Sequence, residues 1–182
     1  MHTKNLILCA IFSALIAVGA FIRIPIPIVP FTLQFLFTML AGLLLGGKLG
    51  FTSVTVYIAM GLLGLPVFAE GGGLAYILKP SFGYIIGFAT ASYVTGIIAN
   101  KVARPRYNRL LVANFIGLGI VYLFGMVYYY LISYFYLGTP IGLWPLFLYC
   151  FILAVPGDIV LCLWGAMIAK RVIPIMKKEV RQ

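Results

Sequence analysis

Few side chains in this sequence are equipped for chemistry. Of 182 residues only three are acidic and one is histidine. One of the acids, Asp158, stands inside the apolar run FILAVPGDIVLCLWG at 151–165. An ionised carboxylate at the middle of a membrane span costs about 2.5–3.5 kcal/mol on insertion scales, so such a group faces a cavity or a partner. Pro156 has no N–H, which deprives the carbonyl of Ile152 of its helical partner, and Gly157 loosens the same turn. Unwound backbone at membrane depth is tolerated where it is buried in protein or lines a cavity. Together the three residues predict a polar pocket opening outward, in which Asp158 accepts hydrogen bonds from a ligand. The competing role is structural: an ion pair with Lys79 or Arg23 that ties the outer loops to the last span.

The other polar candidates are weaker. Gln34, in FTLQF, is either a helix-packing hydrogen bond or a pocket donor. Thr32 reads as the N-cap of the helix that follows. Phe31, Phe68 and Tyr84 fit either an interfacial aromatic belt or the walls of a pocket. Glu70 is a loop acid, solvated or paired with Lys79. The run MVYYYLISYFYL at 126–137 reads as a belt and packing face. Cys9, Cys150 and Cys162 lie in apolar segments without a C-x-x-C pair, so they read as small hydrophobes and imply neither disulfide nor metal. No catalytic set, metal site or cofactor motif emerges. On the first apolar segment Ala10 and Ala14 are four apart, as are Ser13 and Ala17. Small residues at this spacing let another helix approach closely, either within the bundle or from a separate membrane partner.

The elements that position these groups follow from composition. The chain is 64% hydrophobic and 9% charged, with a mean hydropathy of +1.14. Soluble domains are nearer 45–50% apolar and about 25% charged. The chain therefore reads as an all-α integral membrane protein, one domain over 1–182. Apolar runs at 5–22, 32–46, 50–64, 81–100, 110–136 and 144–169 predict six transmembrane helices in a bundle. The first follows Lys4 and reads as an uncleaved span rather than a signal peptide, since further apolar segments follow. GGKLG at 46–50 predicts a tight hairpin. RIPIPIVPF, from 23, carries prolines at alternate positions and reads as extended. The stretch 64–80 is long, apolar and interrupted by Gly71, Gly72 and Gly73, so it is expected to fold back over the bundle and the binding site.

The net charge of +10 is distributed as membrane topology requires. Eleven of the thirteen basic residues fall on one side: Lys4, Lys48, Lys101, Arg104, Arg106, Arg109, Lys170, Arg171, Lys177, Lys178 and Arg181. Only Arg23 and Lys79 fall on the other. This bias places both termini in the cytoplasm. A nucleic-acid surface would instead be a basic stripe on a soluble fold, so no nucleic-acid partner is expected. No G-x-x-x-x-G-K-[ST] phosphate loop is present, so work against a gradient would need energy from elsewhere.

The stretches PIPIVPFTLQFLFTMLAGLLLGGKLG, YIAMGLLGLPVFAEGGG and KPSFGYIIGF, closed by PGD at 156–158, resemble the BioY family. The resemblance covers most of the chain, and PFTLQ and GLPVFA in this order are its specific parts. These proteins are the biotin-specific substrate-capture subunits, or S-components, of prokaryotic energy-coupling-factor (ECF) transporters. The resemblance implies a non-enzymatic, multi-pass protein of the cell membrane that binds biotin near its outer face. It further implies docking through the first helix, at Ala10 and Ala14, onto a transmembrane coupling protein with two cytoplasmic ATPases, and reorientation of the whole subunit in the bilayer. The family's P-G-D acid helps to hold the ureido ring, a role that falls on Asp158. Two positions depart from the family pattern: Leu161 stands where a lysine is frequent, and Lys79-Pro80-Ser81-Phe82-Gly83-Tyr84 replaces G-P-T-x-G-Y. Lys79 is accordingly expected to supply the cation for the valerate carboxylate or for Asp158, with Arg23 as the substitute. Gln34 or Ser81 is expected to donate to the ureido oxygen, with Tyr84 and Phe68 as aromatic walls. An S-component for another vitamin such as thiamin or riboflavin, a stand-alone secondary transporter, and a membrane enzyme are the competing readings; internal repeats, further intramembrane charges or a second catalytic group would support the last two, and none is found.

Overall fold

A computed structural model describes residues 3–25, 30–102 and 104–179, with side chains through 176. Helix α1 (Thr3–Phe21) buries Cys9, Phe12, Ser13, Ile16 and Ala20, a stripe at helical spacing, and leaves Ala10 and Ala14 exposed. A short antiparallel hairpin follows, β1 (Arg23–Ile24) against β2 (Phe31–Thr32), with Arg23 opposite Thr32 and Ile24 opposite Phe31. The extended reading of the proline-rich stretch holds at these two ends; 26–29 lies outside the described residues. So do the side chains of Lys177, Lys178 and Arg181, three of the basic residues counted above.

Helix α2 (Gln34–Leu45) and helix α3 (Gly47–Leu62) are separated by Gly46 alone. Its φ of +88° is a conformation that residues with a Cβ rarely adopt, which is why glycine makes the turn. After a 3₁₀ turn at Leu74–Leu78 come α4 (Phe82–Asn100) and α5 (Tyr107–Phe135), the most extensively paired helices. Helix α2 is the central post, touching α1, α3, α4, α5 and α7 (Val155–Glu179), and α7 closes the bundle against α2 and α5. Four stretches, Thr3–Phe21, Phe82–Asn100, Tyr107–Phe135 and Leu143–Met176, are long and apolar enough to cross a membrane, and α2 is a shorter apolar helix.

Two local expectations need correction. Thr32 does not cap α2: Leu33 precedes the helix, and the Thr32 hydroxyl donates to Gln34 Oε1 at 3.3 Å. The last span is also built differently from a single helix loosened at Pro156. It comprises α6 (Leu143–Phe147), a π-helical turn (Leu148–Ile152), a break at 153–154, and then α7, which continues through Pro174 to Glu179. Pro156 is the second residue of α7, where its missing N–H would have no intrahelical acceptor. The backbone breaks before the proline, and Asp158 falls in the first turn of a new helix, where the helix dipole favours negative charge.

Close helix crossings rest on glycine. A Cβ on Gly42 of α2 would overlap the Ser92 carbonyl of α4 and stand 2.5 Å from Thr95 Oγ1, whereas one on Gly119 of α5 would meet nothing within 4 Å. Overpacking of this kind costs about 1–3 kcal/mol. Gly42→Ala is therefore expected to lower the melting temperature in detergent by roughly 2–12 °C. Gly119→Ala should leave it unchanged or raised, and thermal melts of the two variants side by side provide the check.

Candidate ligand-binding site

At the end of the bundle that carries the hairpin lies a cavity of about 640 Å³, open mouth included. Its walls come from β2 and the first turn of α2, from α4, from the middle of α5, and from the π turn and the start of α7. Ala69 and Tyr76, from the 63–81 segment, complete it.

Asp158 is on this wall and buried, 8% exposed. Its partner is neither Lys79 nor Arg23. The Tyr122 hydroxyl donates to Asp158 Oδ2 at 2.5 Å. Tyr122 is held edge-on by Tyr84 (5.9 Å between ring centroids) and by Phe151 (5.2 Å). Tyr84 donates from its hydroxyl to the Cys150 carbonyl at 3.0 Å, linking α4 to the π turn, and its ring fills the space that a side chain on Gly125 would occupy. Likewise the ring of Phe31 leans over Gly157, 2.6 Å from where a Cβ would be. The glycine beside the acid thus makes room for an aromatic wall.

Gln34 and Ser81 also line the cavity, both already bonded to neighbours. Gln34 Nε2 donates to the Tyr57 hydroxyl at 2.5 Å, and Tyr57 donates on to the Val67 carbonyl at 3.2 Å. Gln34 therefore serves helix packing while facing the cavity. Ser81 Oγ donates to the Tyr76 hydroxyl at 3.2 Å. Burial pushes the Tyr76 phenol above its usual range, which keeps it protonated.

Two residues expected at the site are not on its wall. Lys79 points to Glu70, with Nζ 3.2 Å from Oε2 and 3.1 Å from the backbone carbonyl, and lies over the Tyr76 ring at 5.1 Å. The reason is local: Glu70 shares the same loop and is half-exposed beside it, so the pair forms without burying a charge. Phe68 stands one layer behind, 1% exposed, its ring set against Gly61 and packed between Tyr57 (5.4 Å) and Tyr76 (4.5 Å). Arg23 donates to the carbonyl of Ala69, a cavity residue, and no carboxylate is in ion-pair range of it among the described residues. In the tyrosine run, Tyr130, Tyr134 and Tyr136 face outward as a belt would, while Tyr128 bonds the Ile77 carbonyl of the 3₁₀ turn.

Tyr122 is the residue that sequence reasoning passed over. Its signal was depth: belt tyrosines sit at span ends, whereas Tyr122 is at the centre of 110–136, where a buried hydroxyl must find a partner.

These features define a multi-pass helical membrane protein with a cavity at one end, lined by aromatic rings around one acid. Comparison with known proteins narrows that class. Residues 1–178 match the model of the BioY family, and the chain belongs to that family. It is 45% identical to a probable biotin transporter BioY of Lysinibacillus sphaericus, over 96% of this chain and 89% of the relative. It is 30% identical to the biotin transporter BioY of Rhizobium etli, over 94% of each. Among solved structures it resembles the S-component for biotin from an ECF-type ABC transporter, with a TM-score of 0.77, 28% identity and 94% of both chains covered.

The Gln34–Tyr57–Val67 chain predicts a coupling between cavity wall and loop. Loss of a buried hydrogen bond is worth about 1 kcal/mol, or roughly fivefold in an opening equilibrium. Tyr57→Phe should therefore speed backbone amide exchange at 67–71 by about fivefold or more, leaving α4 and α5 unchanged. Hydrogen-exchange mass spectrometry measures both, and unaltered exchange at 67–71 would refute the coupling.

Proposed function

We propose that this chain captures biotin as the membrane-embedded subunit of an ECF-type ABC importer and hands it on by docking to a transmembrane coupling protein served by two cytoplasmic ATPases. The observation that carries the reading is the buried acid of Asp158 on an aromatic-walled cavity, in a chain of this family with a biotin S-component as structural relative. Six crossings with both termini in the cytoplasm follow from the placement of eleven basic residues against two. The cavity end, with Arg23 and Lys79, then faces outward.

Biotin has a ureido head with two N–H donors and a carbonyl, an apolar sulfur ring, and a valerate tail ending in a carboxylate. In this reading Asp158 accepts from a ureido N–H, Gln34 or Ser81 donates to the ureido oxygen, and Phe31, Tyr84 and Phe88 wall the bicycle. Arg23, close to the wall through Ala69, replaces Lys79 as the cation nearest the tail. The 64–80 segment covers the site, with Phe68 holding Tyr76 in place from behind. Ala10 and Ala14, exposed on α1, form the face offered to the coupling protein. Unpaired buried polar groups cost about 1–3 kcal/mol each, so vitamins with a different head are rejected.

Equilibrium binding to the purified protein tests this directly. Biotin should bind, with lipoate, thiamin and riboflavin far weaker; preference for one of the latter would replace biotin as the ligand. Hydrogen bonds to a charged group are worth about 1.5–3 kcal/mol, so Asp158→Asn should weaken biotin by roughly 10- to 150-fold. Arg23→Ala should weaken biotin but not biotin methyl ester, which has no charged tail. Equal losses for acid and ester would remove Arg23 from the tail site.

A further inference from the structure

We infer that Tyr122 sets the head-group selectivity of the site by occupying one of the two oxygens of Asp158, an inference that rests on the biotin-capture reading. The Tyr122 hydroxyl donates to Oδ2 at 2.5 Å, and no protein donor meets Oδ1 among the described residues. No lysine or arginine is on the cavity wall to take it. Tyr122 cannot easily turn away, because it is 3% exposed and wedged edge-on between Tyr84 and Phe151. The carboxylate therefore presents Oδ1 as its one open acceptor, while Oδ2 is already engaged and crowded by the phenol.

A single acceptor distinguishes two classes of head. In a cyclic urea the two N–H groups diverge on either side of the carbonyl, so a carboxylate reaches only one, and one free oxygen is enough. A guanidinium or amidinium presents two parallel N–H donors, whose best complement is a carboxylate with both oxygens open. The phenol takes one lone pair of Oδ2 and crowds the other, which weakens that bidentate fit. It also disperses part of the negative charge that would attract a cationic head. A neutral cyclic urea is accepted on equal terms by this arrangement, whereas the isosteric cation loses its main advantage. Tyr122 thereby acts on the ligand through Asp158, as a positioning residue rather than a direct contact.

The probe pair is biotin and 2-iminobiotin, the latter at a pH where its guanidine is protonated. In the full-length protein Tyr122→Phe should leave biotin within a few-fold of wild type, because the Tyr122–Asp158 bond is internal and present with or without ligand. It should strengthen 2-iminobiotin by opening the second oxygen to a charged donor, moving the ratio of the two dissociation constants about tenfold toward the cation. In the Asp158→Asn background the same change should leave the ratio unmoved. Site-specific 3-fluorotyrosine at 122, which keeps the ring and hydroxyl but is a stronger donor, should move the ratio the other way and serves if Tyr122→Phe does not fold. An equal loss for both ligands, as from a general packing defect, or a ratio that shifts equally with Asn at 158, overturns the inference. A wild-type protein that binds neither ligand refutes biotin capture instead, so the two failures are distinguishable.

Discussion

The carboxyl group of Asp158 is sunk into a wall of aromatic rings, and the phenol of Tyr122 is the protein donor that meets it. Burying a charged or polar group without a partner is costly, so the position of that phenol constrains everything around it. Tyr122 must face α7, which fixes the rotation of α5. The π turn and the break at 153–154 release α7 to begin beside it, so that the acid arrives in a first turn, where the helix dipole favours negative charge. Tyr84 on α4 then supports the ring of Tyr122 and binds a carbonyl of the π turn. Three helices are held around one acid by two hydroxyl groups.

The roof is attached by the same economy of polar contacts. Arg23 of the hairpin holds the Ala69 carbonyl, Tyr128 of α5 holds that of Ile77, and Tyr57 of α3 holds that of Val67. The backbone N–H of Gly73 donates to the Gly61 carbonyl at 2.7 Å. Each attachment satisfies a main-chain group of a segment that has few backbone partners of its own, two of them at the exposed surface. Between them Phe68 and Tyr76 fill the underside with rings, so the segment is fastened at several points without being part of any helix.

Much of this was legible in the sequence because the chain is so poor in polar groups. A lone acid among apolar residues stands out, and its Pro-Gly prefix announces an interrupted helix. A glycine turn between the second and third spans and the approximate limits of the spans follow from apolar length and from glycine, although α3 already begins at Gly47 and leaves Gly46 alone as the turn. What stayed hidden depended on distances across the fold. Tyr122 looks like one more aromatic in a membrane helix until α7 is set against it. Glu70 was legible as a partner of Lys79, but that this loop pair would keep Lys79 from Asp158 was not. The exact point of the helix break was misplaced because proline has two uses, disrupting a helix from within and starting one, and spacing alone does not separate them.

Helix α3 has 16 residues, about 24 Å of rise, and shows Phe51 and Val56 to its surroundings, whereas a hydrocarbon core is about 30 Å thick. A helix shorter than the hydrocarbon around it is met by a thinner bilayer, by flanking side chains that reach the interface or by association, each at fractions of a kcal/mol per ångström of mismatch. Helix α1 is its neighbour, so the short side of the bundle lies next to the surface carrying Ala10 and Ala14.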